Sequence, residues 1–117
     1  MEVIKPIGFT WMFPASVDYV YDGDTIICHV LLHPNEGGDL HNIHVRVHGI
    51  NCQELNTAEG KNAKAYAITL LPPGTQVMLA VTKRDKYGRF LAQIILANGS
   101  SFGDNMIVAG HAVAYLT

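Results

Sequence analysis

The sequence predicts a mainly β fold with helices, a five-stranded Greek-key barrel whose elements run βββαββα. Three observations lead there. Five short apolar or alternating runs are separated by turn-forming residues. Ala63, Tyr66, Ala67, Leu70 and Leu71 recur at helical spacing between the third and fourth runs. Phe102, Met106 and Ile107, followed by Gly110, mark a second short helix after the fifth. A barrel of this order is the OB-fold, which binds oligonucleotides across one face; the analogy of fold supplies no chemistry.

In order, residues 1–14 read as an N-terminal extended arm on which Phe9, Trp11 and Phe13 alternate, and residues 15–117 as the barrel domain. The arm is expected to pack on its own domain, with a homo-oligomer contact as the alternative. Val17, Tyr19 and Tyr21 alternate as a first strand, and Asp22-Gly23-Asp24 turns the chain. Residues 25–32 form a second strand with Ile26, Cys28, Val30 and Leu32 on one face. After a loop at 34–39 comes the third strand. Asn56 and Glu59 have the spacing of a helix N-cap box, and Pro72-Pro73-Gly74 ends that helix. Residues 76–82 and 90–97 are the last two strands, joined by a charged hairpin at 83–89, and residues 112–116 form a short extended tail.

Bulk properties narrow the class. A chain of 117 residues, 49% apolar and 15% charged, is one domain that buries a real core. Its net charge of -2 does not advertise a nucleic-acid binder, so any phosphate affinity must come from a local cluster, helped by a metal. Cys28 and Cys52 are too few for a disulfide scaffold. Cys28 reads as a small core residue, and the thiol of Cys52 has no evident task. No stretch is apolar enough to cross a bilayer, and Pro6, Gly8 and Pro14 interrupt the N-terminus, which does not read as a signal peptide. The expectation is a cytoplasmic protein without a membrane partner.

The chemistry concentrates at residues 42–54. On a strand there, Val45 and Val47 point inward while His44, Arg46 and His48 share the outer face. Gly49 breaks the run, and Asn51 and Glu54 follow in an irregular segment. An arginine fork beside an amide and a carboxylate suits a phosphate held with a hard metal ion. The plainer reading is an edge strand carrying an Arg, then a turn. Six histidines (His29, His33, His41, His44, His48 and His111) lack the short spacing of a closed zinc site. His44 or His48 near the site would make activity fall below neutral pH.

Four motifs then stand in order: Tyr21-Asp22-Gly23-Asp24-Thr25, Val45-Arg46, Gly49-Ile50-Asn51-Cys52-Gln53-Glu54, and Asp85-Lys86-Tyr87-Gly88-Arg89-Phe90-Leu91-Ala92. Together with the helix at 60–71, its Leu71-Pro72-Pro73-Gly74 exit and the segment Met106-Ile107-Val108-Ala109-Gly110-His111-Ala112, the chain resembles the staphylococcal nuclease (thermonuclease) family over roughly residues 15–115. The resemblance implies a calcium-dependent nuclease that hydrolyses phosphodiesters of DNA and RNA with little sequence specificity, acting on single-stranded or frayed substrate. It implies that Asp24 is a metal carboxylate, that Asn51 stands at a second metal position, and that Cys52 supplies a backbone carbonyl to the metal. Glu54 matches the carboxylate that positions or deprotonates the attacking water. Arg46 and Arg89 match the guanidiniums on the scissile phosphate, and Lys86 and Tyr87 match residues on a neighbouring phosphate and sugar. The plain alternatives are a turn-capping aspartate, surface ion pairs and a solvated hairpin.

Physical chemistry is consistent with those roles. Phosphodiester attack builds charge on non-bridging oxygens, which two arginines and a divalent cation stabilise. Departures from the family pattern also carry expectations. Asn51 replaces an Asp, so calcium should bind more weakly, or Mg2+ or Mn2+ take its place. Gln53 replaces a Pro, and the loop from Glu54 to the helix looks short, which predicts a less rigid, more open site. The fold is expected without the family's usual C-terminal third helix, and the aromatic arm is expected to cover that side. The alternative function is a catalytically weakened or inactive module of the same fold that binds nucleic acid or serves in assembly.

Overall fold

The computed structural model describes residues 11–31, 38–84 and 88–115. Five strands close a barrel: β1 (Trp11–Asp22), β2 (Thr25–Val30), β3 (Leu40–Val47), β5 (Gln76–Arg84) and β6 (Phe90–Ile95), in the spatial order β1-β2-β3-β6-β5. Neighbours are antiparallel except β3 and β6, which run parallel with Arg46 opposite Leu91. A separate two-stranded sheet pairs β4 (Ile50–Asn51) with β7 (Val113–Ala114). The helices are α1 (Ala58–Leu70) and α2 (Phe102–Val108). The mainly β barrel with two helices is the architecture that the alternation and helical spacing predict.

Inward-facing alternation builds the core. Val45 and Val47 are fully buried, as are Ile26, Cys28 and Val30 of β2. Ile27, whose side chain leaves the barrel on the opposite face, is buried too. On α1, Ala63, Ala67 and the C-cap Leu71 are buried, with Tyr66 and Leu70 packed at the margin. Small residues let α1 lie close on β1. Phe102 and Met106 of α2 fill the core with no exposure. That helix ends as expected at Gly110, whose φ of 82° opens a Schellman closure. His111 N–H donates to the Met106 carbonyl at 2.9 Å and Gly110 N–H to that of Ile107 at 3.0 Å.

Several expectations are corrected. β1 begins at Trp11, so no break separates an arm ending at residue 14 from the barrel. Trp11 to Ser16 pair with β5, and Phe13 packs on the core with its ring 6.3 Å from Phe90. Phe9, Leu32 and His33 lie outside the described residues. Tyr19 and Tyr21 do not share the inner face with Val17. Register shifts between Val17 and Tyr19, and between Val20 and Asp22, turn both tyrosines outward and Val20 inward. Helix α1 is capped by Thr57, not Asn56: its hydroxyl accepts from Gly60 N–H at 3.0 Å. The extended tail is borne out at Val113–Ala114, which pair with β4 as β7; Leu116 lies outside the described residues.

Candidate functional site

The Asp22-Gly23-Asp24 turn is the corner on which the site is assembled. Asp22 pairs with Thr25 across the hairpin, and Asp24 N–H donates to Asp22 Oδ1 at 3.1 Å. Gly23 is required for packing: a Cβ there would lie 2.7 Å from Cys52 Sγ and 3.1 Å from the Ala63 Cβ. The turn thus presses on both the segment after β4 and on α1. The thiol of Cys52 fills that junction, which is the task the sequence did not reveal. Burial, then the negative charges of Asp24 and Asp22, push that thiol up to about 12, so it stays protonated at neutral pH.

Asp24 stitches three elements together. Its Oδ2 accepts the Cys52 N–H at 3.0 Å, and its carbonyl accepts the Val47 N–H at 2.9 Å. A longer contact of 3.5 Å joins Oδ1 to the Thr25 hydroxyl. Arg46 completes the cluster, with Nη2 3.6 Å from Asp24 Oδ2. Both side chains are mostly enclosed, at 22% and 13% exposure, so water screens the pair less than it would at the surface. Arg46 also donates to the carbonyls of Val47 at 2.8 Å and Ile50 at 3.0 Å, and approaches Asn51 Oδ1 at 3.4 Å. The strand that carries the guanidinium and the turn that follows it are therefore held by that guanidinium.

Beside Asp24 stands a second carboxylate, Asp22. Its partial burial, followed by the hydrogen bond and charge of Asp24, raises its carboxyl above the usual range. Two acids crowded at one corner form a locally negative site that a cation or proton would relieve.

Glu54 is exposed and positioned from behind. Its carbonyl accepts from the Thr57 hydroxyl at 2.6 Å and from the Thr57 N–H at 3.0 Å. Gly60 lies so close that a Cβ would overlap the Glu54 carbonyl. The short loop is tied to the helix it enters, against the expectation of looseness from Gln53.

Two cavities meet at this rim. One, of about 400 Å³, is lined by Arg46, Lys83, Arg89, Asn51, Leu91 and Tyr115. The other, of about 500 Å³, is lined by Asn51, Cys52, Glu54, by Glu59 and Asn62 at the start of α1, and by the segment Gly110 to Val113 that follows α2. Asn51 belongs to both. The structure thus joins Asp24, Arg46, Asn51 and Cys52 in direct contact, puts Arg89 in the cavity of Arg46, and puts Glu54 next door. Lys86 and Tyr87 lie outside the described residues. Asp22, Lys83 and Tyr115 were missed. The only signals for them are the first acid of an Asp-Gly-Asp turn, a hairpin cation and a tail aromatic.

The described histidines are dispersed. Among the described residues, no three His, Cys, Asp or Glu side chains gather in a way that could hold a metal. His29 instead meets Asp39 at 2.8 Å and the His41 ring edge-on at 4.4 Å, and His111 lies against Tyr66.

A family model described as staphylococcal nuclease homologue matches residues 44–117, from mid-β3 onward. The chain belongs to the staphylococcal nuclease family. It is also similar to endonuclease YhcR of Bacillus subtilis (strain 168), at 31% identity over 116 residues. That match covers 88% of this chain and 9% of the relative, so the chain spans less than a tenth of that protein's length. Within this nuclease family member, Arg46, Asn51, Glu54 and Arg89 all fall inside the matched segment. The Asp22-Gly23-Asp24 corner precedes it and reaches it through the Cys52 and Arg46 contacts.

Proposed function

We propose that the chain is a metal-dependent phosphodiesterase that cleaves DNA and RNA with little sequence specificity. One observation carries the reading: Arg46 touches Asp24 and shares a cavity with Arg89, and Asn51 lines both that cavity and the one that holds Glu54.

Substrate phosphate is drawn to the cationic cavity, where Arg46 and Arg89 donate N–H bonds to its non-bridging oxygens. These bonds strengthen as negative charge builds there in the transition state. Glu54 accepts the proton of the attacking water. Tyr115 is half-exposed in the cationic cavity and stacks on an unpaired base, which favours single-stranded or frayed substrate. Asp22, Asp24, the Asn51 amide oxygen and the Cys52 carbonyl are hard oxygen donors that fit Ca2+, with Mg2+ or Mn2+ as substitutes. The raised proton affinity of Asp22, owed first to burial and then to Asp24, fits a corner built for positive charge. When bound, such an ion supplies electrophilic stabilisation of the phosphate and acidifies water. With an amide at Asn51, its affinity is weaker than a third carboxylate would give.

A second reading, a nucleic-acid-binding module without catalysis, is favoured by Asn51 in a carboxylate position. Digestion of single-stranded DNA separates the two. Cleavage is expected with Ca2+, none with EDTA, and Glu54→Gln should lower kcat by about 10²- to 10⁴-fold. Binding without cleavage in any of Ca2+, Mg2+ or Mn2+ would select the module.

A further inference from the structure

We infer that Arg84 and Trp11 prolong the cationic cavity into a track for single-stranded nucleic acid, with the indole as the platform for a base beyond the scissile bond. The inference rests on the nuclease reading and adds to it where the rest of the substrate lies.

The end of β5 carries two successive cations that face opposite ways. Alternation from the buried Val81 would turn Lys83 inward. A register shift between these two residues turns it outward instead. Lys83 thus pairs with Leu91, and both line the cationic cavity with Arg46 and Arg89. The same shift sets Arg84 opposite Phe90, with its guanidinium over that ring at 5.4 Å from the centroid. Positive charge therefore continues from the cavity round the end of the barrel where β5 stops and β1 and β6 begin. Arg84 is exposed, and a guanidinium resting on a ring keeps N–H edges for an anion.

Trp11 stands beside this corner. It pairs with Val81, two residues before Lys83, and shares a face of β1 with Phe13. Phe13 meets Phe90, the ring beneath Arg84, with centroids 6.3 Å apart. Phe90 is buried, whereas Trp11 is 41% exposed. A lone exposed aromatic is ordinary. One set among cations, and continuous with a cavity that takes a phosphodiester, has the chemistry of a single-strand groove: charge for the backbone and a flat ring for a base. An acidic peptide would meet the same charges without offering a flat ring at each repeat. Tyr115 supplies the ring inside the cavity, and Trp11 supplies the next one outside it.

Trp11 is the chain's only tryptophan, so its emission reports on the platform directly. Oligothymidylates of two to eight nucleotides are titrated in EDTA. End-labelled samples give binding by anisotropy, and unlabelled ones give stacking by tryptophan quenching. Quenching is expected with the octamer and not with the dinucleotide. Trp11→Ala should weaken octamer binding by about tenfold, and binding of the shortest oligonucleotide that is held by less than about twofold. Arg84→Gln should reduce the salt slope of octamer binding by about 0.7, the share of one phosphate contact. An octamer that fails to bind or binds without quenching, or an equal loss at every length in Trp11→Ala, would overturn the track. Emission that follows protein concentration instead of oligonucleotide would also overturn it, by assigning the patch to a contact between copies. Cleavage with Ca2+ is scored separately. A chain that binds and quenches but cuts nothing loses the nuclease reading and keeps the track, and one that cuts without quenching does the reverse.

Discussion

Arg46 has two partners of opposite kind, the backbone around it and the cavity in front of it. Its bonds to the Val47 and Ile50 carbonyls require a fork, which a lysine ammonium cannot copy. Arg46→Lys is therefore expected to lower kcat/KM by about 10²-fold and stability by about 1 kcal/mol. Arg89 lines the same cavity, and Arg89→Lys should lower kcat/KM comparably, since an ammonium cannot copy the fork. Steady-state kinetics on both variants and a thermal melt of Arg46→Lys check this; an unchanged kcat/KM in either variant would refute it. Asp22 gives a pH signature. Burial and Asp24 raise its carboxyl above 3.8, so the folded chain keeps that proton to higher pH than the unfolded chain does. The resulting stabilisation is complete below about 3.8 and is lost as pH rises through the folded value. Asp22→Asn stays neutral throughout and keeps an oxygen for the Asp24 N–H. Its Tm should exceed that of the unmodified chain at pH 7 and match it at pH 3, measured without metal. Neither Asp22 nor Tyr115 was legible as a site residue. A turn acid and a tail aromatic are ordinary until the fold sets something opposite them.

The entry to α1 shows how an element aims a side chain that it does not contain. Thr57 caps the helix and also holds the Glu54 carbonyl, while Gly60 leaves that carbonyl room. Thr57→Ala should cost about 1 kcal/mol, the usual worth of a cap. Gly60→Ala should cost about 1–3 kcal/mol through overpacking, and should also displace Glu54, so that kcat falls by more than tenfold. Melts and kinetics on both variants test this, and a stable, fully active Gly60→Ala chain would count against it. The sequence identified this helix but placed its cap one residue early. Asn56 with Glu59 fits the capping pattern, and only the packing of Gly60 on the preceding loop decides for Thr57. Strand content was easiest to read where alternation is undisturbed, as at Val45 and Val47. In β1 the strand was legible but the facing was not, because register shifts reverse the tyrosines. Two-residue strands such as β4 and β7 have no period to read.

At the scale of the whole molecule, a net charge of -2 conceals a strongly uneven rim: among the described residues, three cations line one cavity and two carboxylates the next. Composition excluded a uniformly basic surface and was right to leave room for a local one. The order of strands was legible because each run is short and bounded. The meeting of distant residues followed only in outline, since it depends on β3 and β6 lying parallel with Arg46 opposite Leu91. Parallel neighbours cannot be joined by a tight hairpin, and here β4, α1 and β5 intervene. Loop closure over such a span comes slowly. The two guanidiniums are therefore strangers in a partly folded chain, which can own every catalytic side chain and still be inert. Refolding followed by circular dichroism and by cleavage should show secondary structure returning first and hydrolysis only with the slowest phase. On the proposed phosphodiesterase reading, a newly synthesised chain would be harmless to nearby RNA until β6 docks beside β3, a safeguard written into the connectivity alone.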